Sequence, residues 1–142
     1  MVCRNQLKRL ALPGAMLLML FAWVFPPAQQ PDCDIQNGAC TKKVSSTSVT
    51  LDITPRPVRH MQELVFSLTV KPCASLPDTL LLDLSMPGMV MGKNQVPLVK
   101  KSSCLYQGNG LIVKCKSGRK LWKATVLSKK LNNVAFTFNV RE

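Results

Sequence analysis

The chain has 142 residues, 19 Lys and Arg against seven Asp and Glu for a net charge of +12, and 46% hydrophobic but only 6% aromatic residues. That length holds one small domain with one modest core, and the charge selects anionic over cationic partners. A single histidine excludes a catalytic zinc built on a histidine pair.

Arg4, Lys8 and Arg9 precede an uncharged apolar stretch over residues 10–25, the layout of an export signal. The stretch is broken by Pro13-Gly14, stops at Pro26-Pro27, and falls short of the roughly 20 residues a membrane-spanning helix needs. Residues 1–28 therefore read as a signal peptide cut at Ala28. Pro26 fits a small-x-small cleavage site poorly, so an uncleaved anchor helix through residues 10–25 is the alternative. Either way the expected location is the periplasm or cell envelope. Gln30-Pro31-Asp32 before Cys33 is not the small, apolar run that lipid attachment would need.

Without residues 1–28 the chain keeps sixteen basic against seven acidic residues. The cations fall in doublets, Lys42-Lys43, Lys100-Lys101, Arg119-Lys120 and Lys129-Lys130, with no aromatic stacking platform between them. Nucleic acid is not the expected partner, because its recognition needs a stacking or groove-reading element beside the basic track. An anionic membrane surface or an envelope protein is.

Residues 29–47 are polar, hold Cys33 and Cys40, and read as a lead-in arm outside the core. Beyond them the chain alternates with period two. Val49, Leu51 and Ile53 form one apolar row, Leu64, Phe66, Leu68 and Val70 a second, and Leu80, Leu82 and Leu84 a third. Further strands are expected at 94–99, 103–107, 111–116, 120–127 and 134–140, the last with Val134, Phe136, Phe138 and Val140 inward. Trp122, in step with Ala124 and Val126, reads as core, and Ser117-Gly118-Arg119-Lys120 as the turn into its strand. Seven or eight short strands without an amphipathic helix give an all-β, immunoglobulin-like antiparallel sandwich over residues 48–142.

Asn109-Gly110 carries the signal of a two-residue type I′ turn. With those residues at a hairpin tip, Tyr106 faces Val113 and Cys104 faces Cys115. Cys33, Cys40, Cys73, Cys104 and Cys115 are an odd set for an oxidising compartment. The expected bonds are Cys33–Cys40 as a local clip and Cys104–Cys115 across the hairpin, where opposed Cα atoms lie about 4.5–5.5 Å apart. The rival pairing joins Cys115 to Cys73 or Cys40 between sheets. No C-x-x-C spacing supports a redox-active pair.

Met86-Pro87-Gly88-Met89-Val90-Met91-Gly92 places three thioethers on a turn between two strands. Cu(I) is soft and takes thioethers, and methionines at this spacing can converge without a preformed cage. Met86, Met89 and Met91 are the candidate sulfur ligands, with His60, beside Met61 in another inter-strand loop, as a fourth. The competing reading is that these methionines plug the open end of the sandwich or contact a partner, as methionine commonly does. No catalytic residues are expected. The seven acids are dispersed, and the chain has no nucleophile elbow, phosphate loop or zinc-spaced cysteine set.

The order of SVTLDITPRPV, ELVFSLTV, LLLDLSMPGMVMG, GLIVKCKSGRKLWKATV and VAFTFNV resembles the YtkA-like domains of bacterial envelope proteins, over roughly residues 47–141. The inter-strand MPGMVMG carries most of the likeness. The resemblance implies an immunoglobulin-like sandwich. FixH-type relatives, which carry a related domain, are associated with assembly of a copper-containing terminal oxidase, so it also implies copper handling and an oxidase-assembly or metal-handling partner. This chain departs from FixH proteins in lacking a clear full-length membrane anchor.

Overall fold

A computed structural model describes residues 29–73 and 75–142. The signal or anchor helix expected within residues 1–28 lies outside them. The described chain forms eight strands: β1 Cys40–Val44, β2 Thr47–Thr54, β3 Glu63–Lys71, β4 Thr79–Ser85, β5 Gln95–Lys100, β6 Leu105–Leu111, β7 Leu121–Leu127 and β8 Ala135–Asn139. A short 3-10 turn, Lys129–Leu131, precedes β8. All strand pairs are antiparallel, in the order β1-β2-β3-β6-β5-β4-β7-β8.

Seven residue pairs join β2 to β3, whereas β5 and β6 share only Val99 with Gln107 and Lys100 with Tyr106. The sheet folds over on itself so that its two halves face each other as a sandwich around one core. Alternation along each strand sends one row inward: Val49, Leu51 and Ile53 from β2; Leu64, Phe66, Leu68 and Val70 from β3; Leu82 and Leu84 from β4; Trp122, Ala124 and Val126 from β7; Phe136 and Phe138 from β8. All are at most 1% exposed. Each such side chain contributes about 1.5–3 kcal/mol when taken out of water, which is what drives the halves together.

This folding brings the outer strands β1 and β8 close together. Lys42 of β1 donates to the Ala135 carbonyl of β8 at 2.6 Å, and its ammonium lies 5.4 Å from the Phe136 ring centroid. The lead-in fills the rest of this gap. The Asp32 and Cys33 amides donate to the Thr137 carbonyl, Asp32 Oδ1 accepts the Thr137 amide, and Gln36 Nε2 donates to the Asn139 carbonyl. Asp32 also pairs with Lys42.

Two expectations are corrected here. The 29–47 segment is not all a lead-in outside the core: it contributes β1, and Cys33 and Ile35 are 6% and 0% exposed. The charges of Thr41-Lys42-Lys43 hide a strand whose Lys42 lays its stem toward the core and its ammonium on Asp32. The hairpin at Asn109-Gly110 does not form either. β6 runs straight through both residues, with Asn109 opposite Val65 and Gly110 opposite Leu64, and residues 112–120 are a loop. The glycines serve close approach rather than a turn. A Cβ on Gly108 would overlap the Pro97 carbonyl oxygen, and one on Gly110 would come within 2.5 Å of Val96 Cγ2.

Candidate functional site

Three inter-strand segments meet at one pole of the sandwich: 55–62 after β2, 86–94 after β4, and 112–120 after β6. The Met61 amide donates to the Ile112 carbonyl at 2.8 Å, and Trp122 at the start of β7 donates its indole N–H to His60 Nε2 at 3.1 Å. The methionine loop and the histidine loop thus share an end of the fold.

Met86 is 2% exposed and continues the inward row of Leu82 and Leu84 past the end of β4. It is a core residue. Pro87 and Gly88 then reverse the chain: the Met89 amide donates to the Met86 carbonyl at 3.1 Å and Gly88 has φ 74°, as a type II turn with Pro-Gly at its centre requires. The reversal lifts Met89 and Met91 to the rim, where both are half-buried against the core edge, and leaves Val90 fully exposed.

A second turn packs against the first. The Gly118 amide donates to the Cys115 carbonyl at 3.2 Å, with Gly118 at φ 67°. Arg119 Nη1 reaches back to the Pro87 carbonyl at 3.4 Å. Between the turns the Ser117 hydroxyl lies 3.2 Å from Cys115 Sγ and 3.7 Å from Met89 Sδ, so a thiol and a thioether converge on one oxygen. Hydrogen bonds from the Ser117 side chain and backbone hold the Cys115 thiol below its usual pKa, and the Arg119 charge acts in the same direction.

The cysteines pair as Cys33–Cys40, with Cα atoms 5.7 Å apart, and Cys73–Cys104, 4.7 Å apart. The expected Cys104–Cys115 bond is absent, as are the rival bonds of Cys115 to Cys73 or Cys40. β6 carries Cys104 to the opposite pole from Cys115, beside Cys73 after β3, and Cys115 is the free thiol among the described residues.

His60 is placed differently from the methionines. Its Nε2 lone pair accepts the Trp122 indole proton, which puts the neutral ring's own proton on Nδ1, a buried atom without a protein partner. In this tautomer neither nitrogen offers a lone pair to a metal. Burial, followed by the charge of Lys114, lowers the His60 pKa and favours that neutral form.

Scans against protein-family models, curated proteins and solved structures returned no match. The chemistry of this pole therefore has to be read from its own residues. Among the described residues no three of His, Cys, Asp and Glu come together. The sequence reading assigned Cys115 to a disulfide and Ser117 and Arg119 to a turn, and joined none of them to the methionine loop. The signal for Cys115 was the odd cysteine count, which the supposed hairpin absorbed.

Proposed function

We propose that this chain is an exported binding module of the cell envelope that holds Cu(I) at the pole carrying its methionine loop, and that it has no catalytic role of its own. The observation that supports the reading is the Met86–Met89 turn, which buries one methionine as an anchor and holds Met89 at the rim, packed against the core edge with its sulfur also 3.7 Å from the exposed Ser117 hydroxyl. A methionine used only as filler has no need of that placement. Met89 and Met91 are the ligands in this reading, Met86 supports the loop from below, and His60 orients Trp122. Copper handling agrees with the likeness to YtkA-like and FixH-type domains, and with a metal-handling or oxidase-assembly partner.

The test is a competition between the full chain and a Cu(I) chelator. Met89→Leu with Met91→Leu keeps most of the apolar volume and removes both sulfurs, so the variant should fold normally and lose Cu(I) affinity. Equal binding by the variant, or none by the wild type, ends this reading.

A second reading is favoured by the exposure of Val90 at 103% and Met61 at 65%. An apolar tip among the exposed cations Lys93, Lys114, Lys116 and Arg119 suits a metal-free contact with an acidic envelope protein or an anionic membrane surface. In that case the double Leu variant keeps partner binding undiminished.

A further inference from the structure

We propose that the Cys115 thiolate and the Met89 thioether together ligate Cu(I) in the seam between the two docked turns. The proposal rests on the copper reading above and adds an anionic ligand that the methionine loop does not contain. Three independent features carry it. First, the two sulfurs already share a neighbour, since Ser117 Oγ is 3.2 Å from one and 3.7 Å from the other. Second, each sulfur sits on its own closed turn, Met86 to Met89 and Cys115 to Gly118, and Arg119 ties one turn to the other through the Pro87 carbonyl. Each sulfur is therefore carried on a turn closed by a backbone hydrogen bond, and the Arg119 side chain holds the two turns against each other.

The third feature is charge. Lys93, Lys114, Lys116, Arg119 and Lys120 are all exposed on the loops of this pole, so a cation held by neutral thioethers alone would add positive charge to a positive surface. A thiolate cancels the charge of Cu(I), and the bound pair is neutral. In the binding step the S–H bond of Cys115 breaks, an S–Cu bond forms, and the proton leaves to solvent. The metal stays Cu(I) throughout, so no oxidant or reductant is required. Thiolate and thioether are both soft donors, which suits Cu(I) and excludes magnesium.

The experiment uses the full chain with both disulfides intact, kept anaerobic and titrated with Cu(I) acetonitrile complex against a colorimetric Cu(I) chelator. The wild type should show an ultraviolet thiolate-to-copper charge-transfer band and lose alkylation of Cys115 by iodoacetamide once copper is bound. Cys115→Ser should abolish the band and weaken binding by about tenfold or more, since even outer-shell changes around a metal cost 10–100-fold. Met89→Leu should weaken binding and keep the band. If the wild type binds Cu(I) without the band, or Cys115→Ser binds as tightly as wild type, the thiolate proposal falls and the methionine-loop reading stands. If the wild type fails to compete for Cu(I) at all, both fall.

Discussion

The indole N–H of Trp122 donates to Nε2 of His60 across 3.1 Å, tying the 55–62 loop to the first inward residue of β7. Trp122 is fully buried, so losing that acceptor leaves a donor with no alternative partner. His60→Ala should cost about 1–3 kcal/mol in chemical denaturation, with tryptophan fluorescence reporting a loosened indole. Cu(I) affinity should stay at the wild-type level. A His60→Ala variant that folds and loses copper would return the imidazole to the ligand set.

The same hydrogen bond gives the stability a pH dependence with a definite sign. Protonation would put a second proton on Nε2, directly against the indole N–H, so the folded state favours neutral imidazole and the His60 pKa is lowered by burial and by Lys114. The unfolded chain then binds more protons than the folded one. Stability contributed here is complete above the unfolded value of 6.5 and is lost as pH falls through the folded value. Denaturation midpoints measured on descending from pH 7.5 should decline below about pH 6.5. His60→Gln should flatten that part of the curve.

Asp32 titrates in a separate, more acidic window. Partial burial pushes its pKa up, but the hydrogen bond from Lys42, those from Thr137 and the Lys42 charge outweigh it and leave the carboxyl below its ordinary value. Its contribution is present above pH 3.8 and lost as the pH falls further. Because Lys42 and Asp32 are 32% and 43% exposed, the ionic part is worth no more than about 1 kcal/mol. Asp32→Asn should accordingly cost less than Asp32→Ala, which also removes the acceptor for the Thr137 amide. Equal losses in urea titrations would mean that the hydrogen bond contributes nothing.

Gly108 and Gly110 give a direct test of the strand that replaced the expected hairpin. Gly108→Ala forces a methyl into the Pro97 backbone, and Gly110→Ala into Val96, so each should destabilise by about 3 kcal/mol, with Gly108 the worse because backbone cannot rotate away. Gly38→Ala is the control, with nothing within 4 Å of the new Cβ, and should be near neutral. A hairpin turn at Asn109-Gly110 would instead tolerate Gly108→Ala. Thermal melts of the three variants decide.

Disulfide mapping by mass spectrometry of unreduced peptides should return Cys33–Cys40 and Cys73–Cys104, with Cys115 alkylated. The Cys73–Cys104 bond spans 31 residues and the other seven, so on chain-entropy grounds the first stabilises by about 4 kcal/mol and the second by about 2 kcal/mol. Replacing Cys73 and Cys104 by Ala should therefore lower the melting temperature more than replacing Cys33 and Cys40. A peptide joining Cys104 to Cys115 would contradict the path of β6.

The alternation of Leu64 to Val70, of Leu80 to Leu84 and of Phe136 to Phe138 was legible because one face of each strand meets the core and the other meets water. The turn at Pro87-Gly88 was legible for a local reason too, since proline and glycine fix its geometry without help from elsewhere. What escaped was decided by distant partners. Asn109-Gly110 has the chemistry of a tight turn, yet glycine is equally what a strand needs when a neighbouring strand packs close, and only the position of Val96 against Gly110 distinguishes the two. Lys42-Lys43 reads as solvent until Asp32 and Phe136 are in place around Lys42. Cys115 beside Met89 is the same kind of fact: 26 positions separate them in sequence, and nothing between them announces that their turns dock.

Along β8, the carbonyls of Ala135, Thr137 and Asn139 are taken up by Lys42, by the Asp32 and Cys33 amides, and by Gln36. These are the groups through which an unprotected terminal strand would recruit the strand of another molecule. The stretch from Asp32 to Lys42 therefore works as a guard against edge-to-edge polymerisation, and the Cys33–Cys40 bond keeps the guard closed on itself. Trimming the chain to begin at residue 43 would expose those carbonyls, and the product would be a protein that associates edge to edge as its concentration rises.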